Sequence, residues 1–87
     1  MTREQIEHIK EEIEEKEQKI RDLTQRLSSP VSSVGDWKVS KCMEYLTMGL
    51  ETPYDLEQLH VERQAVRDEI NVLQDEIEIL EQQISGL

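Results

Sequence analysis

Cys42, His8 and His60 are the side chains in this sequence best suited to nucleophilic, acid–base or soft-metal chemistry. They fall on three different segments without metal-ligand spacing, so the sequence builds no zinc site and no cysteine–histidine pair from them. A lone Cys42 on an apolar stretch is expected to behave as a small buried residue rather than a nucleophile. Adjacent acids such as Glu11 and Glu12 have the chemistry to bind a divalent ion or exchange a proton. On a charged helix they more simply form a solvated face. Gly35, Gly49 and Gly86 stand alone, so there is no glycine-rich loop to cradle phosphate. The expectation is a protein that is not an enzyme, with no catalytic residue, no cofactor and no metal.

Recognition chemistry is better represented. Trp37, Lys38, Lys41, Tyr45 and Tyr54 bring aromatic rings and two bases together in the middle of the chain. Aromatic residues are enriched at the energetic centres of protein interfaces, so these five are the candidate partner-binding residues. Trp37 and Tyr54 are expected to pack the end of the fold. Tyr45 and Lys41 are then the better candidates for exposure.

Two long amphipathic segments must position them. Leu56, Leu59, Arg63, Val66, Ile70, Leu73, Ile77, Leu80, Ile84 and Leu87 recur at alternating steps of three and four. Ile6, Ile9, Ile13, Lys16, Ile20, Leu23 and Leu27 keep the same rhythm. That spacing lines up one seam on each helix, suited to lying along another helix. Only Lys16 and Arg63 interrupt the seams, and polar residues there are expected to fix register.

The boundaries read as a helix over residues 2–28, a loop over 29–36, a short helix over 37–48 and a helix over 53–85, all in one domain, 1–87. Thr2 with Gln5 three places on forms a capping box. Ser28, Ser29 and Pro30 end the first helix. On its surface Glu12 with Lys16, Glu15 with Lys19, Glu17 with Arg21 and Asp22 with Arg26 are spaced for pairing. Asp36 suits the cap of the short helix, whose buried face would be Val39, Met43, Leu46 and Leu50 with Cys42 beside them. Gly49 and Leu50 fit a left-handed C-terminal cap. Thr52 and Pro53 are expected to open the last helix.

Flanking charges favour an antiparallel hairpin. In the register that layers Leu27 with Leu59 and Ile13 with Leu73, Arg26 meets Glu62, Lys19 meets Glu69, Glu17 meets Arg67 and Arg3 meets Glu81. One like pair, Glu12 with Glu76, opposes them. Parallel pairing of copies of either helix sets acids against acids. Lys16 falls beside Ile70 within reach of Glu69, and Arg63 beside Leu23. Ala65, Val72 and Ile79 form a second apolar stripe on the last helix, the candidate oligomer interface. The expected fold is all-α: an antiparallel coiled-coil hairpin with a short third helix in the connection, dimerising through its last helix into a helical bundle.

Composition limits the partners. With 87 residues, one Trp, two Tyr and no Phe, burial must come from the aliphatic seams. The formal net charge of −10 disfavours nucleic-acid backbone and anionic membrane as direct partners. Residues 51–87 hold ten acids and two bases, the most uneven part of the chain. One cysteine precludes an internal disulfide, and the charged first twenty residues do not read as a signal peptide. A cytoplasmic location is expected.

The run GDWKVSKCMEYLTMGLETPYDLEQLHVERQAVRDEIN resembles small acidic coiled-coil proteins encoded by phages and prophages of gut bacteria. The matching elements are Gly35 to Lys38, Pro53 to Asp55 and Glu62 to Asn71, under half of the chain. This resemblance implies a viral or mobile-element accessory protein and brings no catalytic residue with it. The expected function is a non-enzymatic protein–protein interaction module that binds and inhibits a host protein. A structural or assembly component, in the virion or another oligomer, is the alternative. A third reading is an acidic mimic of DNA that blocks a nucleic-acid-binding protein through Glu69, Glu76 and Glu78.

Overall fold

The computed structural model describes residues 1–86; Leu87, the last position of the expected seam, lies outside them. Three helices and no strand make up the described residues: α1 (Arg3–Ser28), α2 (Asp36–Thr47) and α3 (Leu56–Ser85). The molecule measures 63 × 18 × 15 Å, a cross-section of about two helices side by side. Thirty residues of α3 account for about 45 Å of that length, so α2 and the loops prolong the rod. The arrangement is compatible with a helical hairpin.

Thr2 and Gln5 close the capping box of α1, Gln5 N–H donating to Thr2 Oγ1 at 3.2 Å and Thr2 N–H to Gln5 Oε1 at 2.8 Å. After Ser28 the chain turns on Ser29, whose Oγ accepts the backbone N–H of Val31 and Ser32. Gly35 is buried in this turn. A β-carbon there would collide with the Ser29 carbonyl oxygen and come within 2.9 Å of Trp37 Cδ1. The obstacle is backbone, which has little room to shift.

The cap of α2 differs from expectation. Gly35 occupies the cap position without a side-chain bond, and Asp36 is already helical. Its carboxylate is drawn instead to Arg63 on α3, 2.6 Å away. At the other end Gly49 has φ +74°, Gly49 N–H reaches Leu46 C=O at 3.0 Å and Leu50 N–H reaches Tyr45 C=O at 2.9 Å. This pair of bonds is the left-handed cap that satisfies the last carbonyls. The two glycines therefore separate steric from conformational cost. Gly35→Ala is expected to lose about 2 kcal/mol or more to overlap, and Gly49→Ala about 1 kcal/mol to backbone strain alone, since nothing lies within 4 Å of its β-carbon. Urea unfolding of both variants checks the order.

The start of α3 also differs. Thr52 does not cap it, because its hydroxyl donates to Tyr54 C=O at 2.7 Å. Asp55 takes the role, accepting Gln58 N–H at 3.0 Å, and the helix begins at Leu56 rather than Pro53. An aspartate three residues before a free N–H is the stronger cap, and Tyr54, left outside the helix, packs against Trp37.

Helices α1 and α3 make most of the contacts between elements. Lys19 Nζ lies 3.4 Å from Glu69, the one expected cross-helix pair that forms among the described residues. Lys16 reaches Glu76 at 2.9 Å rather than Glu69, so a base meets Glu76 where Glu12 was expected. Glu12 lies beside His8, and Arg3 pairs with Glu7 instead of Glu81. Among the described residues Arg26–Glu62 and Glu17–Arg67 do not form; along α1, Lys16 and Lys19 turn from Glu12 and Glu15 toward acids of α3, and Arg21 and Asp22 bond to Gln18 instead. The core is narrow. Ile9, Leu23, Leu59, Leu73 and Ile77 are buried, whereas Ile6, Ile13, Ile20, Val66, Ile70, Leu80 and Ile84 are only half-buried.

The hydrogen bond that Lys16 Nζ donates to Glu76 holds the ammonium above the ordinary lysine range, against an opposing effect of burial. A pKa raised on folding stabilises below the unfolded value, and that contribution fades as pH rises through the folded value. Lys16→Met should therefore differ from wild type steadily through neutral pH, with the difference changing only above about pH 10. Melting curves followed by circular dichroism across that range test it.

Candidate protein-binding site

Arg63 organises the end of the molecule where α2 sits. Its guanidinium is held at the α1–α3 junction, with 9 % of the residue exposed. Nη1 donates to Leu27 C=O at 3.2 Å and to Val34 C=O at 2.7 Å, while Nη2 donates to Asp36 Oδ1. One side chain thus satisfies a last-turn carbonyl of α1, a loop carbonyl and the first residue of α2. Beside Leu23 was the expected place. The long side chain instead reaches past the seam to the unpaired carbonyls.

Trp37 and Tyr54 pack against each other, and Lys38, expected only as a partner-binding residue, joins them. The rings of Trp37 and Tyr54 meet edge to face at 5.6 Å. Trp37 Nε1 donates to Ser32 C=O at 2.6 Å, which pins the loop to α2. Lys38 Nζ lies 5.7 Å from the Trp37 ring centre and 4.7 Å from that of Tyr54. Each ring face near the ammonium gains electrostatic attraction, so these three side chains serve one another. Lys41 is exposed and Tyr45 half-buried.

The apolar face of α2 is turned from its expected direction. Cys42 is completely buried and Val39 and Tyr45 are half-buried, whereas Met43, Leu46 and Leu50 are exposed, together with Met48. The ties from Asp36 to Arg63 and from Trp37 to Tyr54 set this rotation. They bring the Cys42 line inward and leave the wider, more flexible side chains in solvent. An exposed cluster of Met and Leu is adaptable contact surface. By sequence alone Met43, Leu46 and Leu50 are expected inside. Val39, Cys42, Met43 and Leu46 give too little pattern on a twelve-residue helix to fix which line faces in.

Between α2 and α3 lies an open cleft of about 660 Å³, with Val39, Leu56 and Leu59 along its apolar part and His60, Arg63 and Arg67 at its basic part. Ala65, Val72 and Ile79 are exposed on the outer face of α3, joined by Val61. Cys42, His8 and His60 are not brought together, and among the described residues no group of three or more His, Cys, Asp or Glu could hold a metal ion. Among the described residues no helix is long and apolar enough to cross a membrane. Arg63 could have been found from sequence as the one seam residue long enough to reach the carbonyls where α1 ends.

Compared with known families, curated proteins and solved structures, the chain matches no family model, no curated protein and no solved structure.

Proposed function

We infer that this chain is an antiparallel coiled-coil hairpin that acts, without catalysis, by binding and modulating another protein. The observation that carries this reading is the exposed face of α2. Met43 and Leu46, with Met48 and Leu50 just past its end, project from a short helix that Arg63, Trp37 and Tyr54 fix in place. Holding apolar side chains on a rigid mount lowers the entropy lost on docking. Lys41 and Tyr45 border the same surface and supply polar contacts. The resemblance to phage and prophage proteins gives the setting: an accessory protein acting as an inhibitor in the host cytoplasm.

Capture from host lysate tests this reading. Wild-type chain should retain a defined protein, and Met43→Lys with Met48→Lys should lose it while keeping wild-type helicity. Unchanged capture by the double variant, or capture of nothing, contradicts the assignment.

A structural or assembly component is the second reading. Its support is the half-buried seam, Ile13, Ile20, Val66 and Ile70, which a second hairpin could cover. Dimerisation through Ala65, Val72 and Ile79 would be its contact, and large or open assemblies its signature. The DNA-mimic reading loses weight, because Glu69 and Glu76 are engaged by Lys19 and Lys16 within the chain.

A further inference from the structure

The outer face of α3 carries an apolar stripe that the other helices leave open. Val72 is 54 % and Ile79 56 % exposed, and Val61 and Ala65 continue the line. The helical positions flanking it on either side are Glu62, Asp68, Glu69, Asp75 and Glu76, followed by Gln82 and Gln83, with no base among them. Lys19 and Lys16 approach Glu69 and Glu76 from the α1 side. Asp68 and Asp75 make no ion pair among the described residues, and Asp68 accepts only the Gln64 amide at 2.9 Å.

This border decides what can lie on the stripe. A second copy centred on Val72 in the opposite direction sets Asp68 against Glu76 and Asp75 against Glu69. Moving it one heptad still sets Asp75 against Glu76 or Asp68 against Glu69, with Gln82, Gln83 or Val61 facing the remaining acids, and turning it parallel sets like acids side by side. No register supplies an opposite charge. Flanking charges choose partner and direction in helix pairing, and like charges exclude the wrong partner. We propose that the stripe docks a basic amphipathic helix of another protein, whose apolar seam is flanked by Lys or Arg, and rejects a second copy of this chain. From Ala65 to Ile79 the contact runs about 21 Å, or four helical turns. The proposal rests on reading the chain as a protein-binding module, and it adds a second contact surface to the α2 face.

Two synthetic helical peptides with the same leucine seam provide the probe, one flanked by Lys and Arg and the other by Glu. Fluorescence anisotropy with the full chain should show the basic peptide bound at least roughly tenfold more tightly at low salt, with the difference shrinking as salt screens the border. Val72→Ser with Ile79→Ser should weaken that binding roughly tenfold with helicity unchanged, and Asp68→Asn with Asp75→Asn should narrow the preference between peptides. Sedimentation should give a monomer. The proposal is overturned if neither peptide binds, if both bind equally, or if the serine variant binds the basic peptide as well as wild type does. A dimer that the serine variant converts to monomer would overturn it too, making a second copy the occupant. Met43→Lys with Met48→Lys should leave peptide binding intact, so the two surfaces can fail separately.

Discussion

Arg63→Met is expected to cost about 3 kcal/mol, a large share of the stability of a chain this small. Three acceptors lose a charged donor at once: Leu27 C=O, Val34 C=O and Asp36. Methionine keeps the aliphatic stem and suits a seam position, so the loss reports the guanidinium rather than a void. Lys is not a substitute, because a single ammonium cannot span acceptors on three sides as the planar fork does. The consequence should be local as well as global. With Asp36 and Val34 released, α2 loses its tie to α3, and Trp37 should become more accessible to quenchers before α1 and α3 separate. Chemical denaturation followed at once by tryptophan fluorescence and circular dichroism distinguishes these events. Coincident transitions with unchanged midpoint would show that Arg63 is only tolerated in the seam.

Leu23→Ala and Leu59→Ala should each cost about 3 kcal/mol, at the middle of the range for buried leucines. Both are 3 % exposed, the most buried leucines of the core, and both lie toward the end that Arg63 ties together. Ile6, Leu80 and Ile84 are half-buried at the opposite end, so the corresponding alanine variants should cost about 1 kcal/mol. The rod is thus held most firmly where its loop and short helix gather and frays toward its chain ends. Hydrogen exchange should give the slowest amides around Leu23 and Leu59 and the fastest around Ile6 and Ile84. Uniform protection along α1 and α3 would contradict this gradient.

The helices were legible because heptad spacing is a long-range signal, repeated over several turns on each seam. Thr2 and Gly49 were legible too, since each bond they make depends on residues a few places away. Local signals competed at Asp36 and at Thr52. Asp36 looked like a cap but is claimed by Arg63, twenty-seven positions along the chain. Thr52 and Pro53 look like a helix start, yet Asp55 is better placed and Thr52 turns to Tyr54. The charge pairing gave Lys19–Glu69 correctly and sent Lys16 to the wrong acid. A lysine stem reaches more than one neighbour across a helix pair, so charge matching limits the partner without choosing it. The rotation of α2 depends on contacts with distant residues and left no trace in its own pattern. Of the five residues singled out for partner binding, Trp37, Lys38 and Tyr54 serve mainly one another.

Both proposed docking surfaces depend on α1 folding back along α3 so that the beginning of the chain lies near its end. Spin labels at the exposed positions Glu11 and Gln82, in a Cys42→Ala background diluted with unlabelled chain, measure this directly. Side-by-side helices running in opposite directions predict a distance of about 10–25 Å between them. A distance of about 30 Å or more, as expected for helices aligned in the same direction or splayed apart, would contradict the hairpin.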